Sequence, residues 1–149
     1  MRAVLQRVSE ARVEVGGEVV GAIKGGLCAL IAVATTDQLS DAQWLAEKVV
    51  NARVFEDDAG KMNLSVKEVN GALLAISQFT LMGDLRRGNR PSFGAAMVPD
   101  EARVLFEAFC AHAAQQGVRV ETGRFRAEMQ VHLVNQGPVT VLIDSKREF

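Results

Sequence analysis

The stretch that decides the fold is Leu27-Cys28-Ala29-Leu30-Ile31-Ala32-Val33-Ala34, an unbroken run of apolar residues. A strand with one face in water alternates apolar and polar residues, whereas a strand covered on both faces is apolar throughout. The preceding segment, Lys24-Gly25-Gly26, is typical of a turn. We therefore predict a strand over residues 27–34 at the centre of the fold.

A β-hairpin is predicted just before this run. Residues 11–15 alternate in polarity, Gly16-Gly17 provides a turn, and residues 18–23 return along the first segment. Two short alternating runs separated by two glycines are a strong hairpin signal.

Three further strands are predicted after the central run. Residues 73–81 form a strand that begins apolar and ends polar, and residues 127–133 alternate with period two. The segment Asn135-Gln136-Gly137-Pro138 predicts a turn, after which residues 139–143 are expected to pair back on residues 127–133.

Two helices are predicted between these strands. Ser40 and Gln43 match a capping box, and the inward face of that helix follows at helical spacing: Leu45, Ala46, Val49 and Ala52. A second helix is expected to start near Pro99 and to end at Gly117. Its inner face is predicted to consist of Leu105, Ala108, Phe109 and His112. Residues 1–149 thus predict a single mixed α/β domain with a largely antiparallel, barrel-like sheet and two packed helices.

The composition limits the possible functions. Of the 149 residues, 48% are hydrophobic and 23% are charged, and the formal net charge is −1 at pH 7. A protein that coats nucleic acid is strongly basic, so any contact with RNA here needs a local patch or a pocket for one end of the strand. No apolar run is long enough to span a membrane, and early charges do not fit a signal peptide, so we expect a cytoplasmic protein.

The cysteines and histidines are predicted to have structural roles. Cys28 and Cys110 lie far apart in apolar segments and are expected to be buried thiols. The only histidines are His112 and His132, for which a structural role is favoured over catalysis. Because no short-spaced Cys/His cluster is present, no metal site is predicted.

Three segments are candidates for a functional site. Ser77, Gln78 and Thr80 place polar groups at the end of an apolar strand, where active sites collect, but they include no titratable base. The loop with Arg86, Arg87, Arg90 and Phe93 could grip phosphates and stack on a base, or be ordinary solvated surface. Gly137-Pro138 is a common turn dipeptide whose isomer no sequence reveals.

Taken together, these segments resemble one family. The motifs that carry the resemblance occur in this order: Gln6-Arg7-Val8, Gly60-Lys61-Met62-Asn63-Leu64, Ser77-Gln78-Phe79-Thr80-Leu81, Arg90-Pro91-Ser92-Phe93, Thr122-Gly123-Arg124-Phe125, Met129-Gln130-Val131 and Asn135-Gln136-Gly137-Pro138-Val139-Thr140. In this order they resemble the D-aminoacyl-tRNA deacylase (D-Tyr-tRNA deacylase) family, from Met1 to about Asp144. The tail from Ser145 to Phe149 lies outside the resemblance and has no predicted role.

The resemblance implies a cytoplasmic homodimer that hydrolyses the ester between a D-amino acid and the terminal adenosine of tRNA, and also glycine mischarged on alanine tRNA. It implies tRNA as the partner, no membrane, and no metal or organic cofactor. The Gly-Pro bond is expected to be cis and to enter the partner subunit's site.

The resemblance also implies a role for each matching residue. Gly137 and Pro138 would screen the chirality of the substrate, with Arg7 supporting their turn. Phe125 and Met129 would surround the adenine. The ester pocket would be lined by the catalytic segment Ser77, Gln78, Phe79 and Thr80, and the possible tRNA contacts are Arg86, Arg87 and Arg90.

Two alternatives to this function stay open. The same pocket would suit a non-catalytic protein that binds the acceptor end of RNA, or a generic serine or threonine esterase. Within the deacylase hypothesis, Thr80 is the obvious side-chain nucleophile, yet nothing near it in sequence would activate its hydroxyl. We therefore expect the 2′-hydroxyl of the terminal adenosine to assist the reaction.

Overall fold

The predicted central strand lies at the centre of the sheet. In the computed structural model, which describes residues 1–149, β3 spans Gly26–Ala32 and only Leu30 in it is not fully buried. One edge of β3 pairs antiparallel with β1 (Arg2–Val15) and the other pairs parallel with β6 (Ala72–Ser77). The prediction for this run is confirmed, because both faces of the strand are covered.

The sheet is mixed and nearly closes on itself. Its remaining strands are β2 (Glu18–Ile23), β7 (Arg119–Thr122) and β8 (Gln130–Asp144), and β4 (Phe55–Glu56) with β5 (Met62–Leu64) forms a separate small hairpin. The order is β2-β1-β3-β6-β7, with β7 parallel to β6 and β8 paired to β1. The end strands approach so closely that a Cβ on Gly21 would lie 2.2 Å from the Thr122 carbonyl oxygen. The barrel-like prediction is confirmed.

The carboxyl-terminal hairpin prediction is wrong. The predicted hairpin at residues 11–23 forms as β1 and β2, but residues 130–144 are one long strand, antiparallel to β1 over its whole length. The register passes from Val8–Asn135 to Gln6–Thr140, so two steps along β1 match five along β8. The surplus residues form a bulge that carries Gly137-Pro138. Residues 139–143 therefore pair with β1, which offers a long free edge that the sequence pattern does not reveal.

Two helices cover one face of the sheet. Helix α1 spans Leu39–Asn51 and α2 spans Pro99–Gln115, and both contribute to the larger of two apolar cores. The smaller core lies on the other face of the sheet, inside the barrel, around Val13, Cys28 and Leu74. No helix in the chain is long and apolar enough to cross a membrane.

The capping prediction for α1 is wrong by two residues. The helix starts earlier, and Asp41 rather than Gln43 supplies the cap: its Oδ2 accepts a hydrogen bond from the Gln38 amide at 2.9 Å. Burial alone would raise the pKa of Asp41, but hydrogen bonds from Lys146, from the Gln38 amide and from Ser145 lower it to about 2. A carboxylate that stays ionised suits the positive end of the helix.

The boundaries of α2 are confirmed, whereas its buried face is rotated from the prediction. Gly117 follows the helix with φ +89°, a conformation that favours glycine and ends a helix. The buried residues are Ala102, Phe106, Phe109 and Ala113, while Leu105 and Ala108 are only half-buried. Of the predicted inner face, only Phe109 is fully buried.

The cysteines have high pKa values. Burial raises the pKa of Cys28 to about 11, and burial together with Glu107 raises that of Cys110 to about 12. Cys28 is fully buried as predicted, but Cys110 is half-buried on α2. Both remain protonated thiols at neutral pH.

Candidate active site

The polar end of β6 is not a strand throughout, which corrects the prediction for residues 73–81. The strand ends at Ser77, and a 3₁₀ helix spans Phe79–Met82. Gln78 forms the junction because its amide donates to the Ile31 carbonyl at 2.7 Å, which holds the turn against β3. The first hydrogen bond of the 3₁₀ helix runs from the Leu81 amide to the Gln78 carbonyl at 3.2 Å. The amides of Phe79 and Thr80 therefore precede the first hydrogen bond of the 3₁₀ helix and have no acceptor within it.

Side chains at this turn are linked to each other. The Gln78 side-chain amide donates a hydrogen bond to the Thr80 hydroxyl oxygen. An amide is neither a base nor an acid at neutral pH, so this contact orients the Thr80 hydroxyl without activating it as a nucleophile.

A cavity of about 680 Å³ opens beside the turn. It brings together Ser77, Gln78 and Phe79 with Phe125 and Met129, which sequence reasoning placed in one site on different elements. Thr80 is adjacent and exposed, but it does not line the cavity. The remaining lining residues are Val33, Ile76, Phe93, Ala96, Met97, Val98, Pro99, Ala102, Arg126, Ala127 and Val131.

Two further residues, Phe93 and Met97, line the cavity although neither is among the predicted pocket residues. The Phe93 ring meets the Phe79 ring edge-on, with centroids 5.1 Å apart and an interplanar angle of 69°. Phe93 lies in the Arg-Pro-Ser-Phe motif, so the sequence already indicated that it belongs to a functional segment. Met97 carried no such signal, because its place depends on the Met97 amide donating to the Val33 carbonyl at 2.9 Å.

Gly123 allows close packing at the end of the cavity that Met129 lines. A Cβ on Gly123 would lie 2.6 Å from the Met129 sulfur and 3.4 Å from a Val13 methyl group. Glycine therefore permits Met129 to sit against the barrel wall while it lines the cavity.

Arg2 holds the far end of the 3₁₀ helix and gives the tail a structural role. Its Nη1 donates to the Leu81 carbonyl at 3.0 Å, and its Nε donates to Asp144 at 3.0 Å. Glu148 accepts from Nη2 at 2.9 Å, and the guanidinium lies 5.0 Å from the Phe149 ring centroid. The tail packs against the residue that supports the site.

Gly137-Pro138 is exposed on the bulge of β8, and the bond between the two residues is cis. Arg7 supports the bulge: its Nε donates to the Gln136 carbonyl at 2.9 Å and its Nη1 to the Val54 carbonyl at 2.8 Å. Gly137 has φ +140°, and a Cβ there would lie 2.8 Å from Val139 Cγ2 and 3.0 Å from Arg7 Nη2. The bulge is thus tightly held on one side and free on the other.

Within one chain the bulge lies far from the cavity. It is opposite Arg7 of β1, whereas Ser77 pairs with Ile31, which pairs with Ala3 of β1. From Ala3 to Arg7 is about 13 Å along the strand, and three strand spacings add about 14 Å across the sheet. Neither residue of Gly137-Pro138 lines the cavity of its own chain.

Comparison with known proteins identifies the family. The profile of the family described as D-Tyr-tRNA(Tyr) deacylase matches residues 4–144. The chain belongs to this family. As a deacylase family member it is a hydrolase, which confirms both the resemblance and the prediction of an enzyme.

Curated relatives match over their full length. The D-aminoacyl-tRNA deacylase of Anaeromyxobacter dehalogenans is 58% identical and that of Thermotoga petrophila 56% identical, each over 149 residues that cover 100% of both chains. A solved structure titled c-Myc DNA Unwinding Element Binding Protein is 38% identical with a TM-score of 0.91, covering 97% of this chain and 98% of the other. A probable eukaryotic D-amino acid tRNA deacylase, 17% identical with a TM-score of 0.83 over 95% and 97% of the two chains, shares the fold.

The arginine loop of this deacylase is only partly free to bind an anion. Both oxygens of Asp84 accept hydrogen bonds from the Arg86 guanidinium, at 2.9 and 2.6 Å. The Arg86 guanidinium lowers the pKa of Asp84 to about 2, so the pair stays charged and mutually neutralised at neutral pH. Arg87 and Arg90 are exposed and take part in no ion pair.

Neither histidine reaches the cavity. His112 lies 3.3 Å from a Glu47 oxygen between the two helices, and His132 lies 3.4 Å from a Glu14 oxygen on β1. The deacylase cavity therefore holds no Ser–His pair. No group of three or more His, Cys, Asp and Glu side chains is placed to hold a metal ion either.

Proposed function

We propose that the chain hydrolyses the ester between a D-amino acid and the terminal adenosine of tRNA in the cytoplasm, releasing both products. Membership of the family supports the reaction class. The cavity supports the substrate, because aromatic and thioether side chains suit a nucleobase while Ser77 and Gln78 offer polar groups at one end.

The observation that carries the proposal is the position of Gly137-Pro138, exposed on its bulge and distant from the cavity of its own chain. We infer that a second copy supplies this turn to the cavity. Strand β8 pairs only with β1, so its other edge is free for a partner. Mutual insertion about a two-fold axis gives two equivalent sites in a homodimer.

In this arrangement the site distinguishes D- from L-amino acids by a steric clash. The ester is held at the Ser77–Thr80 turn, and the substrate ammonium group lies at the carbonyls of the partner's Gly-Pro. With both groups held, a D side chain points to solvent and an L side chain strikes the turn. Because only the L side chain clashes, the site accepts many D-amino acids. It also accepts glycine, including glycine mischarged on alanine tRNA, because glycine has no side chain to clash.

The chemistry depends on backbone groups and the substrate. Amides at Phe79 and Thr80 are available to stabilise the tetrahedral oxyanion. Water attacks the ester carbonyl and the bond to the adenosine 3′-oxygen breaks. Since the cavity lacks a titratable base, the adenosine 2′-hydroxyl relays a proton from the attacking water to the leaving 3′-oxygen. The reaction written this way needs no metal or organic cofactor.

Histidine substitutions test the absence of a protein base. We expect His112→Gln and His132→Gln to keep kcat within about twofold, because loss of a catalytic base costs roughly 100-fold or more. Steady-state hydrolysis of D-Tyr-tRNA by each variant measures this. A 100-fold loss in either variant, without a lower melting temperature, would restore a histidine mechanism.

The decisive experiment is hydrolysis of matched D-Tyr-tRNA and L-Tyr-tRNA. We expect the D-substrate to react at least about 100-fold faster, since a collision costing roughly 3 kcal/mol gives that ratio. Binding of both without turnover would instead identify a non-catalytic protein that binds RNA ends. Equal hydrolysis of both substrates and of simple esters would identify a generic esterase.

A further inference from the structure

Two arginines lie at or beside the cavity, and neither forms an ion pair with a carboxylate. Arg126 is the only charged residue among the 16 that line the cavity. The guanidinium of Arg103, on the first half of α2, lies 4.9 Å from the ring centroid of Phe125, which also lines the cavity. The arginine ion pairs of the chain involve other residues: Arg2, Arg12, Arg86 and Arg119. Arg103 and Arg126 therefore have no carboxylate partner within the chain.

Both side chains are presented by ordered structure. Stacking on Phe125 orients the Arg103 guanidinium, while its N–H groups remain free at the edge of the plane. Arg126 lies in a turn closed by the Ala127 amide, which donates to the Arg124 carbonyl at 3.2 Å, and its φ is +63°. Few residues other than glycine adopt this conformation, and here it brings a charged residue to an otherwise uncharged cavity.

An uncharged interior with a cationic rim fits a nucleoside whose phosphate stays outside. We propose that Arg103 and Arg126 bind the phosphodiester that precedes the terminal adenosine of the RNA. The identity of the RNA rests on the proposed function. Arg86 is the weaker candidate for this contact, because Asp84 already accepts hydrogen bonds from Nε and Nη2 of its guanidinium.

Substrates with and without phosphate test the contact. D-Tyr-tRNA is compared with 3′-O-D-tyrosyl-adenosine, which has the same ester but no phosphate. For Arg103→Gln with Arg126→Gln, we expect KM for D-Tyr-tRNA to rise about tenfold with kcat within twofold. The salt dependence of log KM should flatten by about 0.7 for each lost contact to single-stranded RNA. Both kinetic constants for the nucleoside ester should stay unchanged.

Arg147→Gln is the matched control, because Arg147 is an exposed arginine on the tail that forms no ion pair. It should change neither substrate's KM. Arg103→Lys keeps the charge and should retain most of the salt dependence. The proposal is overturned if the double variant raises KM for both substrates equally, which would mean that the arginines only shape the pocket, or if it raises neither.

Binding separates failure of this inference from failure of the proposed function. The probe is a single-stranded RNA with a 3′-terminal adenosine that carries no amino acid. It is titrated onto the wild-type chain and onto the double variant. Roughly tenfold weaker binding to the variant supports the phosphate contact even if no D-Tyr-tRNA is hydrolysed. Equal affinity contradicts the contact whatever the activity.

Discussion

D-Tyr-tRNA that ends in 2′-deoxyadenosine should be hydrolysed about 100-fold more slowly than the natural substrate, whereas Thr80→Ala should retain kcat within about fivefold. The reason is the composition of the site. The cavity offers an amide, a serine hydroxyl and aromatic rings but no titratable base, and the Thr80 hydroxyl is oriented only by the Gln78 amide. The substrate 2′-hydroxyl is the remaining group next to the ester.

The deoxy substrate needs its own reference rate, because a neighbouring hydroxyl also affects spontaneous ester hydrolysis. Each enzymatic kcat is therefore divided by the rate of the same ester in buffer, and KM is measured to show that the deoxy substrate still binds. The opposite pattern, with Thr80→Ala inactive and the deoxy substrate processed normally, would make Thr80 the nucleophile.

Gly137→Ala should lower kcat/KM for D-Tyr-tRNA by about 100-fold, because a shift of about 1 Å in a positioning group has an effect of this order. The new Cβ would lie 2.8 Å from Val139 Cγ2 and 3.0 Å from Arg7 Nη2, so the bulge has to move. If a partner's bulge screens chirality, the ratio of D- to L-Tyr-tRNA hydrolysis should fall as well.

Gly88→Ala is a control matched in backbone conformation. Gly88 has φ +142°, close to the +140° of Gly137, but no atom lies within 4 Å of its added Cβ. Both variants carry the strain of an alanine at positive φ, and Gly137→Ala adds the steric clash, so it should lower the melting temperature more than Gly88→Ala does. Only Gly137→Ala should change the D/L ratio. An unchanged ratio in Gly137→Ala would remove the bulge from the chirality screen.

The identity of the family and most elements could be predicted from the sequence, because they depend on local patterns. The unbroken apolar run identified β3, and two glycines between alternating segments identified the first hairpin. Gly117 marked the end of α2 for the same reason, since a positive φ is a property of one residue.

The sequence could not predict elements whose partners are distant. A segment of alternating polarity looks the same whether it pairs with its neighbour or with a strand at the other end of the chain, so the sequence of β8 predicts a hairpin that does not form. The 3₁₀ helix was likewise hidden, because the Gln78 amide turns the chain by bonding to Ile31 on β3.

The class of enzyme and the central strand β3 follow from the sequence alone, whereas the roles assigned to Ser77, Gln78, Phe79 and Thr80 stay predictions. That Phe125 and Met129 line one cavity with Ser77, and that Gly137-Pro138 lies away from it, depends on how distant parts of the chain pack. The pairing of charges also depends on the tertiary structure. Arg86 forms an ion pair with Asp84, whereas Arg103 and Arg126 form no ion pair, and composition does not distinguish them. Periodicity and turn propensity act between neighbours in sequence, but pairing and neutralisation depend on distances that exist only after folding.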